Sequence, residues 1–158
     1  MAPPRLNLDD VDQRLLGLLQ RDSSATLFDL GVEVGLSTSA VQRRISRYRR
    51  ANVIAREVTV LDPTAFAGVV LALVMVSLDR ESTDRHDALR RRLLSSPAVQ
   101  QCYDLAGEYD YAVLLAVRSM AELGEVVDEL FLDEPDLKRF DTFPVFRTVK
   151  ASLEIPTD

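Results

Sequence analysis

The stretch VGLSTSAVQRRISRYRR, residues 34–50, decides the architecture of the first part of the chain. Gly35 stands where a helix must end in a left-handed residue, a conformation glycine adopts without strain. Ser37 or Thr38 then caps a new helix at once. Val41, Ile45 and Tyr48 follow at i, i+4 and i+7, a core-facing stripe. The opposite face presents Thr38, Ser39, Gln42, Arg43, Ser46, Arg47 and Arg50. Upstream, Thr26 caps a short helix carrying Leu27, Leu30 and Val34. Before it, Asp9 caps a helix with Val11, Leu15, Leu18 and Leu19 inward, Asp12 favouring its positive end. Two short helices joined by a tight turn, the second one basic and rich in donors, describe a helix-turn-helix. Arg can bridge guanine O6 and N7, and Gln can pair with adenine N6 and N7. Ser37, Thr38, Ser39, Gln42, Arg43 and Arg47 are therefore the expected DNA contacts, with Arg49 and Arg50 on phosphates that position without specifying sequence. Arg44 lies nearer the buried side, where a structural pairing competes with a phosphate contact.

The charge distribution supports that reading, although the whole chain of 158 residues carries a net charge of −6. Residues 1–62 hold 9 Arg and 8 acids, whereas residues 63–158 hold 10 Lys and Arg against 17 acids. Residues 34–56 carry six Arg and no acid. Salt screens charges beyond about 8–10 Å, so a local basic stripe attracts a polyanion whatever lies farther away. The bases are Arg throughout except Lys138 and Lys150. One Cys and one His exclude a disulfide framework and a self-contained Cys/His zinc site. No apolar run reaches the ~18 residues of a membrane span, and no signal-peptide core is evident, so a cytoplasmic protein is expected.

Past Asn52, residues 53–61 are β-branched and read as a strand that must pair, either with the second domain or with another chain. Residues 69–78 form an apolar run suited to a strand buried on both faces. A helix over 84–95 follows, capped by Asp84, with Leu89 and Leu93 inward. Strands over 99–106 and 111–117 flank a turn at Gly107–Asp110. Ser119 and Glu122 form a capping box for a helix with Met120, Leu123, Val127, Leu130 and Phe131 on one face. A last strand over 138–152 contains Pro144, which places it at an edge or a bulge. The order is βαββαβ, a ferredoxin-like antiparallel four-stranded sheet with two helices on one face. The fold expected is thus α+β: a tail (1–7), a winged-type helix-turn-helix domain with a bridging strand (8–62), a linker (63–68) and a ligand-binding and oligomerisation domain (69–158). The open sheet face is most economically covered by the same face of another subunit. In isolation, Gly107–Asp110 reads as a hairpin tip. A glycine turn can also bind a carboxylate through backbone N–H groups, with Asp110 pairing an α-ammonium and Thr142 supplying a hydroxyl. His86 reads as a surface or half-buried helix residue, Cys102 as a packing residue, and Tyr109 and Tyr111 as partly core or interface.

These features together resemble the Lrp/AsnC (leucine-responsive, or feast/famine) regulators. Leu8-Asp9-Asp10-Val11-Asp12 before Leu15-Leu16-Gly17-Leu18-Leu19-Gln20 matches the family opening. Val34-Gly35-Leu36-Ser37 and Arg44-Ile45 match its turn and recognition helix. Ala106-Gly107-Glu108-Tyr109-Asp110-Tyr111 is similar to its Gly-x-Tyr-Asp loop, and Asp141-Thr142 with Val149-Lys150 to its last strand. Asn52 stands where the family usually has glycine, and Gly31 where it usually has a helix alanine. The resemblance implies binding to double-stranded DNA, and dimers assembling into octamers or other even-numbered particles. It also implies an effector, an amino acid or related metabolite, near Ala106, Gly107, Glu108, Tyr109, Asp110 and Thr142. Neither cofactor, metal nor catalytic residue is expected. Two alternatives are an enzyme like the siroheme decarboxylases, which share this architecture, and a metabolite-binding module without DNA binding. The polar recognition face disfavours both.

Overall fold

The computed structural model describes residues 6–79, 83–132, 134 and 137–157, leaving out the side chains of 83–86. The expected roles of His86 and of Asp84 as a cap therefore lie outside the described side chains. The chain divides into two compact units: one runs through Val60 and also takes in residues from Lys150 onward, and the other is Leu61–Val149.

In the first unit, α1 (Asp10–Arg21), α2 (Leu27–Val34) and α3 (Thr38–Arg50) enclose one small core. Asp9 and Asp12 form a reciprocal capping box at the start of α1, Thr26 caps α2, and Ser37 caps α3. Leu15, Leu30, Val34, Val41, Ile45 and Tyr48 are buried together. Leu6 and Leu8 pack against this cluster, so the tail expected over 1–7 gives way to core contacts by Leu6. Gly35 has φ 69° and Asn52 φ 54°, the left-handed geometry both turns require. Gly31 serves close packing: a Cβ there would come within 2.5 Å of the Leu36 carbonyl oxygen. The Leu36 N–H donates to the Gly31 carbonyl at 2.9 Å, which fixes that approach.

The strand expected over 53–61 forms no ladder among the described residues, and Val58, Val60 and Leu61 are exposed. Its side chains suit a sheet, but a strand without a neighbour has nothing to bond. The first unit accordingly has no wing strand among its described residues.

The second unit contains β1 (Val70–Leu78), α4 (Thr83–Ser95), β2 (Val99–Asp104), β3 (Tyr111–Val117), α5 (Met120–Val127) and β4 (Leu137–Pro144). The sheet is antiparallel in the order β2-β3-β1-β4, the ferredoxin-like arrangement. A π-helical turn over Asp128–Leu132 extends α5 and brings Leu130 and Phe131 into the core, where Phe131 stacks on Phe140 at 5.6 Å. Both helices cover one sheet face with Leu89, Leu93, Leu123 and Val127. Burying each such Leu contributes roughly 1.5–3 kcal/mol.

Several sequence expectations are corrected here. Met120 is exposed, because it opens α5 before the helix meets the sheet. The Glu122 carboxylate accepts from the Arg118 N–H rather than from Ser119, so only half of the capping box forms. β1 alternates instead of being buried twice over: Ala72, Val74 and Val76 face the helices, while Leu73 is exposed on the other side. β4 runs to Pro144 on an edge strand, where a residue without an N–H is tolerated, and one further bond joins the Val145 N–H to the Leu71 carbonyl at 2.7 Å. Cys102 is exposed on the other edge strand, and partial desolvation raises its thiol pKa.

Candidate nucleic-acid interface and effector site

The inner flank of α3 is fastened to α1 by one buried carboxylate. Asp12 is 1 % exposed. Its Oδ1 accepts from Arg44 Nη1 and the Tyr48 hydroxyl, and its Oδ2 accepts from Arg47 Nη2 and from the Asp9 N–H at 3.1 Å. Arg44 Nη1 also donates to both Asp9 oxygens, at 3.0 and 2.9 Å. Burial alone would raise the Asp12 pKa. Hydrogen bonds from Tyr48, the Asp9 backbone, Arg44 and Arg47 outweigh it and hold the carboxyl at about 2. The same contacts hold the Arg44 guanidinium more firmly protonated, while burial and Asp12 push the Tyr48 phenol up.

This assigns Arg44 to the structural side of the two readings left open by the sequence. It also corrects Arg47, which turns inward to Asp12, lies over the Tyr48 ring at 5.7 Å and has a buried Nε with no hydrogen-bond partner among the described residues. Arg44, Arg47 and Tyr48 are spaced i, i+3 and i+4, so one face of α3 carries both core and charge. That spacing was the available signal. Read only as a favourable charge at a helix start, Asp12 concealed its role as the common acceptor.

The outer flank of α3 is open. Thr38, Ser39, Gln42 and Arg43 are exposed, and Arg43 has no ion-pair or hydrogen-bond partner among the described residues. Gln42 Nε2 lies 3.5 Å from Ser46 Oγ, a weak contact readily exchanged for another acceptor. Ser37 uses its hydroxyl as the cap, accepting from the Ala40 N–H at 3.3 Å, and lies 3.2 Å from Ser39 Oγ. Arg49 pairs with Glu57 at 2.9 Å, and Arg50 Nε donates to the Ser46 carbonyl. Both pairings are exposed and therefore weak competitors for a phosphate.

In the second unit, the loop between β2 and β3 exposes Ala106, Gly107 and Glu108. Tyr109 donates its hydroxyl to Asp141 Oδ2 at 3.1 Å, and Arg139 Nε pairs with the same oxygen at 2.7 Å. The Arg139 guanidinium stands 5.7 Å from the Tyr109 ring and 3.9 Å from Glu108. Asp141 raises the Tyr109 pKa through this hydrogen bond. Asp110 is committed to the fold: its Oδ2 accepts from the Leu78 N–H at 2.7 Å, and its own N–H donates to the Val76 carbonyl at 2.8 Å. Thr142 pairs with Val74 on the helix-covered face, where its Oγ1 is buried with no hydrogen-bond partner among the described residues. Successive strand residues point to opposite faces, so Asp141, not Thr142, reaches the loop. Sequence reading took Asp141 only as part of the family's last strand and passed over Arg139; the two alternate with Phe140 along β4 and lie on the strand's outer face.

Residues 8–49 match the AsnC-type helix-turn-helix domain, and residues 71–155 match the Lrp/AsnC ligand binding domain. The chain belongs to the Lrp/AsnC family. An uncharacterized HTH-type transcriptional regulator of Sinorhizobium fredii is 33% identical over 97% of this chain and 90% of its own length. A glutamate uptake regulatory protein of Zymomonas mobilis is 36% identical over 78% of the chain and 75% of its own. Among solved structures, an AsnC family regulator of Agrobacterium tumefaciens superposes with a TM-score of 0.84 at 26% identity, covering 94% of this chain and 97% of that one. A feast or famine regulatory protein of M. tuberculosis complexed with L-methionine gives 0.80 at 28%, covering 95% and 99%. This Lrp/AsnC chain is a DNA-binding transcription regulator of helix-turn-helix type. Its relatives are regulators, not enzymes, which sets the decarboxylase reading aside.

Proposed function

We propose that this Lrp/AsnC protein reads specific duplex sequences with Thr38, Ser39, Gln42 and Arg43, while Arg49 and Arg50 engage phosphates. The observation that carries this reading is the division of α3: its inner flank is fixed by Asp12, and on its outer flank Arg43 is exposed and unpaired among the described residues. A recognition helix held rigidly presents donors to base edges at low entropic cost. We propose further that a small effector, an amino acid, biases DNA affinity or assembly through the 106–110 loop, with Asp141 and Arg139 as its polar wall. Methionine bound to the M. tuberculosis relative and the kinship with a glutamate uptake regulatory protein of Zymomonas mobilis support that class. The working particle is a dimer closed over the outer sheet face, assembling further into even-numbered particles in the cytoplasm.

The test is selection of duplexes from a random pool, followed by gel shift of the winning sequence with an amino-acid panel and a salt titration. Steep loss of affinity with salt and a sequence preference are expected. Failure to enrich any duplex would overturn the DNA reading. Absence of heat on titrating all twenty amino acids would overturn the amino-acid effector.

A further inference from the structure

The end of the chain returns to its beginning. Gln20, at the exposed end of α1, reads both backbone groups of Ile155: its Nε2 donates to the Ile155 carbonyl at 2.8 Å, and its Oε1 accepts the Ile155 N–H at 3.0 Å. Arg21 lies 3.6 Å from Glu154. A Cβ at Gly17 would come within 3.2 Å of the Thr157 hydroxyl, so the segment is seated along α1 with little room to spare. These contacts place residues from Lys150 onward in the DNA-reading unit, whereas the sequence had assigned them to the sheet domain. The polypeptide therefore passes between the units twice, at 60–61 and again at 149–150. The second crossing leads directly from β4, the strand that carries Asp141 and Arg139.

We propose that residues 150–157 are a strap fastening the DNA-reading domain to the sheet domain at a second point, and that Gln20 is the positioning residue that latches it. A domain on a single extended connection samples many orientations, whereas a second connection restricts them. Orientation matters where a symmetric protein must meet two half-sites at a fixed spacing. The latch is a pair of neutral amide bonds at an exposed position, so the strap can be released without disturbing the recognition helix. Its effect on DNA rests on the function proposed above; its existence does not.

The test uses the full chain with Gln20→Ala and, from the other side of the latch, Ile155→Pro, which removes the donated N–H. Amide hydrogen exchange is expected to lose roughly tenfold protection over 150–157 while residues 38–50 stay within about twofold. Unchanged exchange over 150–157 in both variants would overturn the strap. Equal loss over 38–50 would also overturn it, because the segment would then be ordinary support for the helices. On selected DNA, affinity for a duplex with two half-sites should fall at least about fivefold, with a single half-site bound within about twofold of the unsubstituted protein. Equal losses on both duplexes, or none, would overturn the positioning role. Failure of the unsubstituted chain to bind either duplex would instead overturn the DNA reading, with hydrogen exchange still deciding the strap.

Discussion

Asp12 is the residue on which the DNA-reading unit turns. Removing it leaves Arg47 and the Tyr48 hydroxyl without their acceptor and Arg44 with Asp9 alone, a change that costs about 1–3 kcal/mol. Asp12→Ala should therefore unfold the first unit at markedly lower denaturant, as followed by circular dichroism. The pH dependence has a definite sign. The Asp12 pKa is lowered to about 2, below that of an unfolded chain, so its contribution is present above pH 4 and is lost as pH falls towards 2. The contribution is about 2 kcal/mol, read as a difference in acid unfolding between the unsubstituted protein and Asp12→Asn. Gly31 is a second such residue. Gly31→Ala would gain helix preference, but its methyl would meet the Leu36 carbonyl, so a net loss of roughly 1–3 kcal/mol is expected in thermal unfolding.

At the scale of the element, α3 separates two kinds of arginine that look alike in sequence. Arg43→Ala should weaken DNA binding and relax base preference while leaving the melting temperature unchanged. Arg47→Ala should lower the melting temperature first, because it takes a donor from Asp12. A result with the two roles exchanged, in paired gel-shift and melting measurements, would refute the division of the helix. The order and number of helices and the βαββαβ sequence were legible because period, caps and turn residues agree locally. Thr26, Gly35, Ser37 and Asn52 each act where the pattern placed them. What periodicity could not supply was pairing across distance. Arg47 faces Asp12 across 35 positions, and Tyr109 finds Asp141 across 32. The strand over 53–61 was legible as a propensity only, since propensity says nothing about whether a neighbour is at hand.

For the molecule as a whole, the outer side of the sheet exposes apolar side chains. Leu73 and Phe143 pair across β1 and β4 on that side and are 37 % and 52 % exposed. If a second copy closes over it, Leu73→Asp should shift the protein to monomer in analytical ultracentrifugation while leaving the helix-covered core intact. An undisturbed dimer would place the contact elsewhere. The connection between Gln20 and Ile155 spans 135 positions and has a consequence for biosynthesis. The three helices leave the ribosome early, yet the unit they form is completed by residues from Lys150 onward, made some hundred positions later. A nascent chain thus carries its DNA-reading helices in an unlatched state until residues 150–157 have emerged. Any protein truncated before residue 150 would keep the recognition helix, still fastened by Asp12, while lacking the strap that orients its domain.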